Sequence, residues 1–203
     1  YVFNKIFYLE KRYKMAGEAN KVRFGLSNVH IFPIQKEEAD KLTYGEVFKL
    51  PGAVSLSLDP SGDSNPFYAD DVIYYNEFTN NGYEGELEIT TLNEDFETKV
   101  LGYTKDKNGA IVENVNARAN NFAMAFEFNG DKNKVRHVLY KVSASRPKLE
   151  SNTKEEKTKI GTDKIKFSAI PDPSGKIKAK VMKGSESYEN FYKKVYTTNE
   201  SEV

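Results

Sequence analysis

The side chains with the most chemical potential in this sequence are two histidines and a large number of carboxylates. His30 and His137 lie far apart, and neither has a second ligand nearby at metal-binding spacing. The 203 residues include no cysteine, which excludes disulfides, thiolate metal sites and cysteine nucleophiles within them. They also contain no phosphate-binding glycine loop and no serine elbow. We therefore predict a protein that is not an enzyme and has no cofactor, although carboxylate pairs of the glycosidase kind stay open.

One acidic stretch partly follows the pattern of a calcium-binding loop. Its oxygen-bearing side chains are Asp59, Ser61, Asp63, Asn65 and Asp70. The stretch lacks the glycine at the sixth position and the final glutamate of such loops, and a proline at position 60 stiffens its start. We predict no metal site here.

In the stretches 53–58 and 84–89, bulky apolar residues alternate with small or acidic ones. This period of two is typical of strands that bury one face, so the other face should be polar. The residues on that polar face are Ser55, Ser57, Glu84, Glu86 and Glu88. A solvated outer face is the simplest interpretation of the glutamates.

Turn signals divide the region 52–92 into strand, loop, strand, tight turn and strand. Residues 59–66 hold two prolines, a glycine and no aliphatic side chain, which favours an exposed loop. Asn80, Asn81 and Gly82 suit the left-handed conformations of a hairpin turn. We therefore expect the second and third strands of this region to pair with each other.

The remaining chain predicts one helix, further strand pairs and a short C-terminal helix. Residues 92–102 have a capping Asn93 and apolar residues every four positions. Residues 122–128 and 135–143 alternate and flank a turn, which indicates a hairpin. We also expect a strand over 22–34 that ends at Pro33, and we expect 164–170 to pair with 176–182. Four apolar residues at helical spacing predict the C-terminal helix: Tyr188, Phe191, Tyr192 and Val195.

Length and composition favour one domain that consists mainly of strands. The chain has 30 basic and 30 acidic residues, so net charge alone points to neither nucleic acid nor membrane. It has 13 tyrosines, 13 phenylalanines and no tryptophan, which favours a strand-rich fold. No apolar run approaches the roughly 18 residues that span a bilayer. We expect residues 1–14 to be a translated leader or disordered, ahead of a single domain 15–203 with an N-terminal arm 15–21 and a C-terminal tail 183–203.

Several stretches resemble a known family. LPGAVSLSLDP, NPFYADDVIYYNEFTNNGYEGELE, LNEDFETKVLG and NFAMAFEFNGDKNKVRHVLYKVSASRP occur in this order between residues 50 and 147. Together they resemble the major tail proteins, the tail-tube subunits, of long-tailed non-contractile phages or prophages of Gram-positive bacteria. The resemblance implies an antiparallel β-sandwich or barrel with one short flanking helix.

The resemblance also implies a structural role in the virion, in a protein made in the cytoplasm of the bacterial host. Six copies would form a ring, and rings would stack into a tube around a tape measure protein. The tube would end at a tail terminator and at baseplate or distal tail proteins, and DNA would pass through without sequence-specific binding.

Three groups of residues acquire expected roles from this resemblance. The polar face described above would line the lumen, where acidic side chains repel DNA. The loop 59–71 would reach a neighbouring subunit through Asp59, Asp63, Phe67, Tyr68 and Asp70. The arm and the tail would contact the next ring, with Tyr188, Phe191 and Tyr192 as the tail residues.

A second hypothesis belongs to another class of protein. A monomeric β-sandwich that binds carbohydrate or a host surface would gather exposed aromatic residues on a loop. Phe67 and Tyr68 are the pair that favours it.

Overall fold

The computed structural model describes residues 25–131, 133–148 and 161–197. Strands dominate these residues and one short helix, α1, accompanies them, so the mainly β fold with a flanking helix is confirmed. The expected segments 1–14 and 15–21 lie outside the described residues. The elements are β1 (Leu26–Glu37), β2 (Leu42–Tyr44), β3 (Phe48–Lys49), β4 (Ala53–Ser61), β5 (Ser64–Ala69), β6 (Val72–Phe78), β7 (Gly82–Ile89), α1 (Glu94–Lys99), β8 (Thr104–Lys105), β9 (Ile111–Val112), β10 (Phe122–Phe128), β11 (Arg136–Ala144), β12 (Asp163–Ile170) and β13 (Lys178–Val181).

An antiparallel nine-stranded sheet forms the body of the described chain. Its strand order is β2-β1-β10-β11-β12-β7-β4, with β3 beside β1 and β13 beside β11. Apolar side chains from both ends of this order meet in one core, so the sheet folds over on itself in a manner consistent with a β-sandwich. Two separate two-stranded sheets, β5-β6 and β8-β9, lie off this body.

The main core is built from alternating residues of the sheet and closed by α1. Phe122, Met124 and Phe126 of β10 all lie in it, as their period of two predicts. Asn93 caps the helix by accepting the amide proton of Phe96 at 3.0 Å, which confirms the predicted cap. The helix is shorter than the predicted 92–102, and its Phe96 is buried against the sheet.

A second apolar cluster lies on the other face of β1, β10 and β11, where the C-terminal segment covers the sheet. The alternate residues of β10, Ala123 and Ala125, are small and fully buried beneath this segment. Tyr188 and Phe191 supply the covering rings. Both faces of the central strands are therefore buried.

The predicted C-terminal helix is wrong, because residues 185–194 form successive turns instead. The amide of Tyr188 donates to the carbonyl of Ser185, and the amide of Phe191 donates to the carbonyl of Tyr188, both three residues back. Arg136 also donates from its guanidinium to the Tyr188 carbonyl. The carbonyl of Tyr188 therefore accepts hydrogen bonds both from the turn and from a residue of the sheet. The helical spacing nevertheless identified Tyr188, Phe191 and Val195 correctly as buried.

Two further strand predictions need correction. The strands β12 and β13 do not pair with each other, because both lie along the same strand, β11, as two halves of one interrupted strand. The turn 171–177 between them is held by Asp172, which accepts the amide protons of Ser174 and Lys176. Strand β1 was expected to end at Pro33 but continues through it, because its pairing passes there from β10 to β2.

Candidate functional site

The region 53–89 forms a long two-stranded ribbon whose far end leaves the main sheet. Strand β4 pairs with β7 in the sheet, and β5 pairs with β6 beyond it. The ladder continues between the two halves, since Thr79 donates to the carbonyl of Asp63 at 2.9 Å and Asn81 to that of Ser61 at 2.8 Å. The ribbon therefore carries the β5–β6 hairpin, residues 64–78, as an extension.

The predicted pairing of this region is wrong in one respect. The hairpin turn is at Asp70 and Asp71, which have φ angles of 52° and 62°, and not at Asn80–Gly82. Aspartate is among the few side chains that tolerate this left-handed region, and a two-residue turn needs it at both positions. Gly82, with φ of 116°, instead serves a close approach, because a Cβ there would lie 2.0 Å from the carbonyl oxygen of Ala169.

The predicted loop 59–66 is also wrong, since most of its residues lie in strands. Strand β4 extends to Ser61 and β5 begins at Ser64, so only two residues separate them. Gly62 lies in this interruption, where a Cβ would approach the carbonyl oxygen of Thr79 to 1.9 Å. A glycine is needed here because the two strands of the ribbon come too close for any side chain.

The hairpin has large apolar side chains that are all exposed. Their exposed fractions run from 58% to 76%. Phe78 and Tyr75 are three residues apart on β6 and therefore lie on opposite faces, so neither face of the hairpin is covered by the residues that the structure describes. The exposed residues are Phe67, Tyr68, Val72, Ile73, Tyr74, Tyr75 and Phe78. A hairpin of two strands is only marginally stable by itself in water, and exposed apolar patches usually mark interaction sites.

Most of these exposed residues were missed by the sequence analysis, which singled out only Phe67 and Tyr68. The available signal was the run Val72–Tyr75, in which four apolar residues follow one another without alternation. Such a run is typical of a strand buried on both faces. Among the described residues, strand β6, which contains this run, is exposed on both faces.

The ribbon is also strongly acidic. Between Lys49 and Lys99 the sequence has eleven aspartates and glutamates and no lysine or arginine. Four of these acids belong to the hairpin and its base: Asp63, Asp70, Asp71 and Glu77. The hairpin thus combines apolar rings with a charge of −4, which disfavours an acidic partner.

The five residues of the predicted polar face do share one face of the sheet. The register sets Ser55 opposite Glu88 and Ser57 opposite Glu86, with Glu84 next along the same strand. All five side chains are exposed or partly exposed. The prediction that they lie together is consistent with this register, whereas their role in a lumen is not tested by it.

Lysines of the neighbouring strand partly compensate this acidic face. The register of β12 and β7 sets Lys164 opposite Glu88 and Lys166 opposite Glu86. The Nζ of Lys164 lies 3.4 Å from Oε1 of Glu86. Counting Asp59 and the three glutamates against these two lysines, the three-strand face has a net charge of −2. The sequence analysis considered only the stretches 53–58 and 84–89, so it did not include these lysines in the polar face.

Glu88 is held ionised by its hydroxyl neighbours. Thr162 donates to its Oε1 at 2.6 Å and Ser55 to its Oε2 at 2.9 Å. These two hydrogen bonds, with a smaller contribution from Lys164, lower the pKa of Glu88 from its ordinary value. Glu84 accepts a similar bond from Ser168 at 2.8 Å. The face is therefore an ordered network rather than a set of free carboxylates.

The predicted tail residues are used within the subunit. Tyr188 and Phe191 are 5% and 2% exposed, and Tyr192 is partly buried beside them. The guanidinium of Arg136 lies over both tyrosine rings, 3.7 Å from the centroid of Tyr188 and 4.4 Å from that of Tyr192. Contact of the tail with another ring stays a prediction, and exposed residues rather than Tyr188 and Phe191 would have to make it.

Each of the two histidines stacks on an aromatic ring. His30 stacks on Tyr192, with ring centroids 4.4 Å apart, and its Nδ1 lies 2.8 Å from the carbonyl oxygen of Asn28. Burial lowers the pKa of His30. His137 is buried and stacks on Phe126. Across the described ranges, no group of three or more histidines, aspartates or glutamates is arranged to hold a metal ion.

A shallow depression beside α1 contains the other group of charged side chains. Glu113 accepts a hydrogen bond from Arg146 at 2.7 Å, which lowers the pKa of its carboxyl. Burial raises the pKa of Glu97 in the same depression, and Asp163 adds to the effect. The depression is open to solvent and Glu113 is occupied by the arginine, so the arrangement is that of a surface ion pair.

Comparison with known proteins does not assign the chain to a family. No protein-family model matches it, and no curated protein matches it. Within the part of the chain that the structure describes, no helix has the length and apolar character to cross a membrane.

Proposed function

We propose that this chain is a non-enzymatic structural protein, a tail-tube subunit of a siphophage or prophage. Six copies close into a ring, rings stack into a tube in the virion, and DNA leaves through the lumen. The tube surrounds a tape measure protein and ends at a tail terminator and at baseplate or distal tail proteins. The resemblance of the sequence supplies this assignment, and the features of the ribbon support it.

The observation that carries the proposal is the bare hairpin. It is a two-stranded extension with seven large apolar side chains, and nothing in the described part of the subunit covers either of its faces. Burying one such side chain contributes about 1.5–3 kcal/mol of favourable free energy. The isolated subunit lacks this hydrophobic stabilisation for the whole hairpin. A neighbouring copy that covers the hairpin recovers it.

Open strand edges support repeated association as well. Strand β4 pairs only with β7 among the described strands, so the main-chain groups of its nine residues that point away from β7 have no strand partner. Such an edge favours pairing with another chain. The balanced total charge of the sequence keeps electrostatic repulsion between copies low.

The polar face of β4 and β7 is the proposed lumen surface. Its small and acidic side chains offer DNA no cationic group on these two strands, and Glu84, Glu86 and Glu88 repel phosphate. The lysines of β12 reduce this repulsion without reversing its sign.

A monomeric binding module is the second candidate, and the exposed rings favour it. Phe67, Tyr68, Tyr74 and Tyr75 are each at least 58% exposed, and aromatic rings of this kind stack on sugars. Such a module would keep the rings free in solution and would show affinity for a glycan.

Electron microscopy of the purified protein separates the two candidates. The proposal expects sixfold rings or tubes of uniform diameter, together with a concentration-dependent increase in mass by light scattering. A monodisperse monomer that binds glycans on an array would contradict the tail-tube assignment and favour the binding module.

A further inference from the structure

The hairpin of the ribbon needs a partner, and its chemistry restricts what that partner is. The partner must cover apolar rings, and it should have basic groups around them, since the hairpin and its base hold four acids and no base. A surface of this chemistry exists on the chain itself, at the edge strand β13.

The lysine edge is the segment 176–183, which consists of strand β13 and the two residues on either side of it. The sequence from 173 to 185 has four lysines and no acid: Lys176, Lys178, Lys180 and Lys183. Lys178, Lys180 and Lys183 are exposed. The edge therefore has a charge of +4 against the −4 of the hairpin.

The lysine edge also offers apolar contact and unpaired backbone. Met182 and Ile170 are 49% and 39% exposed beside it. Among the described strands, β13 pairs only with β11, so its outer edge has no strand partner. The two strands of the hairpin likewise pair only with each other. An added strand can therefore satisfy backbone groups on both sides.

The hairpin of a given copy does not reach its own lysine edge. Lys178 contacts the base of the ribbon, where its Nζ lies 2.9 Å from the hydroxyl of Tyr83. The hairpin beyond that base keeps its aromatic rings exposed. The two complementary surfaces of one chain thus remain apart, so any contact between them has to join two chains.

We infer that the β5–β6 hairpin of one copy binds the lysine edge of a second copy of this chain. The inference rests on the proposed self-assembly and names the two surfaces that meet in it. Because the surfaces differ, the contact is head-to-tail, and repeating it produces a closed ring or a filament rather than a twofold dimer.

Charge reversal on each side tests the contact. The hairpin variant changes the charge of this surface from −4 to +2, and it uses asparagine at the two turn positions because asparagine tolerates their left-handed φ. The edge variant changes the charge of the lysine edge from +4 to −2. The substitutions are Asp63→Lys, Asp70→Asn, Asp71→Asn and Glu77→Lys in the first variant, and Lys178→Glu, Lys180→Glu and Lys183→Glu in the second.

Each variant alone should lose self-association by a factor of at least about 100 in sedimentation velocity, because like charges then face each other. An equimolar mixture should associate again, since the basic hairpin of the first variant meets the acidic edge of the second and their unchanged surfaces also match. A matched control reverses three exposed lysines elsewhere and should assemble normally: Lys41→Glu, Lys49→Glu and Lys107→Glu. Circular dichroism confirms that each variant is folded.

The outcomes separate this inference from the proposed function. If the wild type forms rings and the edge variant forms them equally well, the lysine edge is not the acceptor, while the tail-tube proposal stands. Folded variants that stay monomeric in the mixture overturn the inference in the same way. A wild type that is monomeric throughout overturns both.

Discussion

Arg136 is the residue that fastens the C-terminal segment to the sheet. It lies between two tyrosine rings and donates to the carbonyl of Tyr188. Its Nε is also 3.5 Å from a carboxylate oxygen of Glu127, and both side chains of this pair are less than 20% exposed. Removing the arginine would leave a mostly buried carboxylate without its cation.

We predict that Arg136→Ala lowers the free energy of unfolding by about 3 kcal/mol, as expected when one partner of a buried ion pair is removed. Urea unfolding followed by tyrosine fluorescence measures the change. The matched control is Arg146→Ala, whose ion pair with Glu113 is largely exposed and should cost less than about 1 kcal/mol. Equal small losses in the two variants would contradict the role given to Arg136.

His30 should give the stability a dependence on pH. Burial, followed by smaller contributions from Lys49 and Arg136, lowers its pKa, although the carbonyl of Asn28 and the carboxylate of Glu127 act in the opposite direction. The folded state therefore binds the proton less readily than the unfolded chain does. Stability should fall as the pH drops below the unfolded pKa of about 6.5.

The variant His30→Gln should show a shallower decrease in stability between about pH 6.5 and pH 5, measured by urea unfolding at each pH. Glu88→Gln is the control. The pKa of Glu88 is also lowered, but Glu88 is a carboxylic acid and titrates at lower pH than a histidine. The stability that Glu88 contributes is present above its unfolded pKa of about 4.3 and is lost below it, so this control should keep the slope at higher pH. An unchanged slope in His30→Gln would rule out the assignment.

The β5–β6 hairpin is the element that distinguishes this subunit from a self-contained sandwich. Its strands contribute no residue to either apolar cluster, in contrast to β4 and β7, which continue the same ribbon into the main core. The hairpin therefore adds exposed apolar surface without stabilising the subunit that carries it.

Four substitutions in the hairpin should separate association from folding. Exposed substitutions usually change stability by up to about 0.5 kcal/mol each, so the quadruple variant should lose less than about 2 kcal/mol while self-association disappears. Urea unfolding and light scattering measure the two effects. The substitutions are Phe67→Ser, Tyr74→Ser, Tyr75→Ser and Phe78→Ser.

The control for this variant is Val115→Ser, which removes an apolar side chain that is 95% exposed outside the hairpin. It should leave both folding and association unchanged. A quadruple variant that unfolds at much lower urea would mean that the hairpin packs against its own subunit.

The sequence predicts individual elements of this fold better than their pairing. The alternation in β10 and the cap at Asn93 depend on local chemistry, and both were predicted correctly. The pairing of β6 with β5 instead of β7 depends on which of two turn signals is used, and both Asp70–Asp71 and Asn80–Gly82 suit a turn. Local preference cannot choose between the two turns. Gly82 lies in the sheet because it pairs with Ser61 of β4 and approaches Ala169 of β12 closely, and both contacts are distant in sequence.

The candidate site could be predicted only in part for the same reason. The shared face of Ser55, Ser57 and the glutamates follows from strand periodicity. The lysines beside it come from β12, which is distant in sequence, so its charge balance required the topology. Knowledge of the topology was also needed to predict that the hairpin is exposed, because a run such as Val72–Tyr75 is usually buried.

At the scale of the whole molecule, the proposed tube must carry DNA without retaining it. We predict that assembled wild-type protein shows no measurable binding to duplex DNA in fluorescence anisotropy. Changing Glu84, Glu86 and Glu88 to lysine should create binding that weakens steeply with salt, because each phosphate contact releases counterions.

The control for the DNA measurement reverses three exposed acids outside the proposed lumen: Glu38→Lys, Asp40→Lys and Glu46→Lys. Because short DNA also reaches the outside of a tube, the comparison uses linear DNA added before assembly and nuclease treatment after it. Protected DNA in the lumen variant alone supports the assignment of the face. Equal protection in both variants would contradict it.

The proposed assembly depends on a contact in which copies of this chain cover the hairpin of one another. Photocrosslinking tests it directly: Tyr74, which is 76% exposed, is replaced by benzoylphenylalanine in protein mixed from light and ¹⁵N-labelled copies. We expect crosslinked peptides that join a light to a heavy copy and include residues of the lysine edge. Crosslinks only within single copies, or none in protein at assembling concentration, would contradict it.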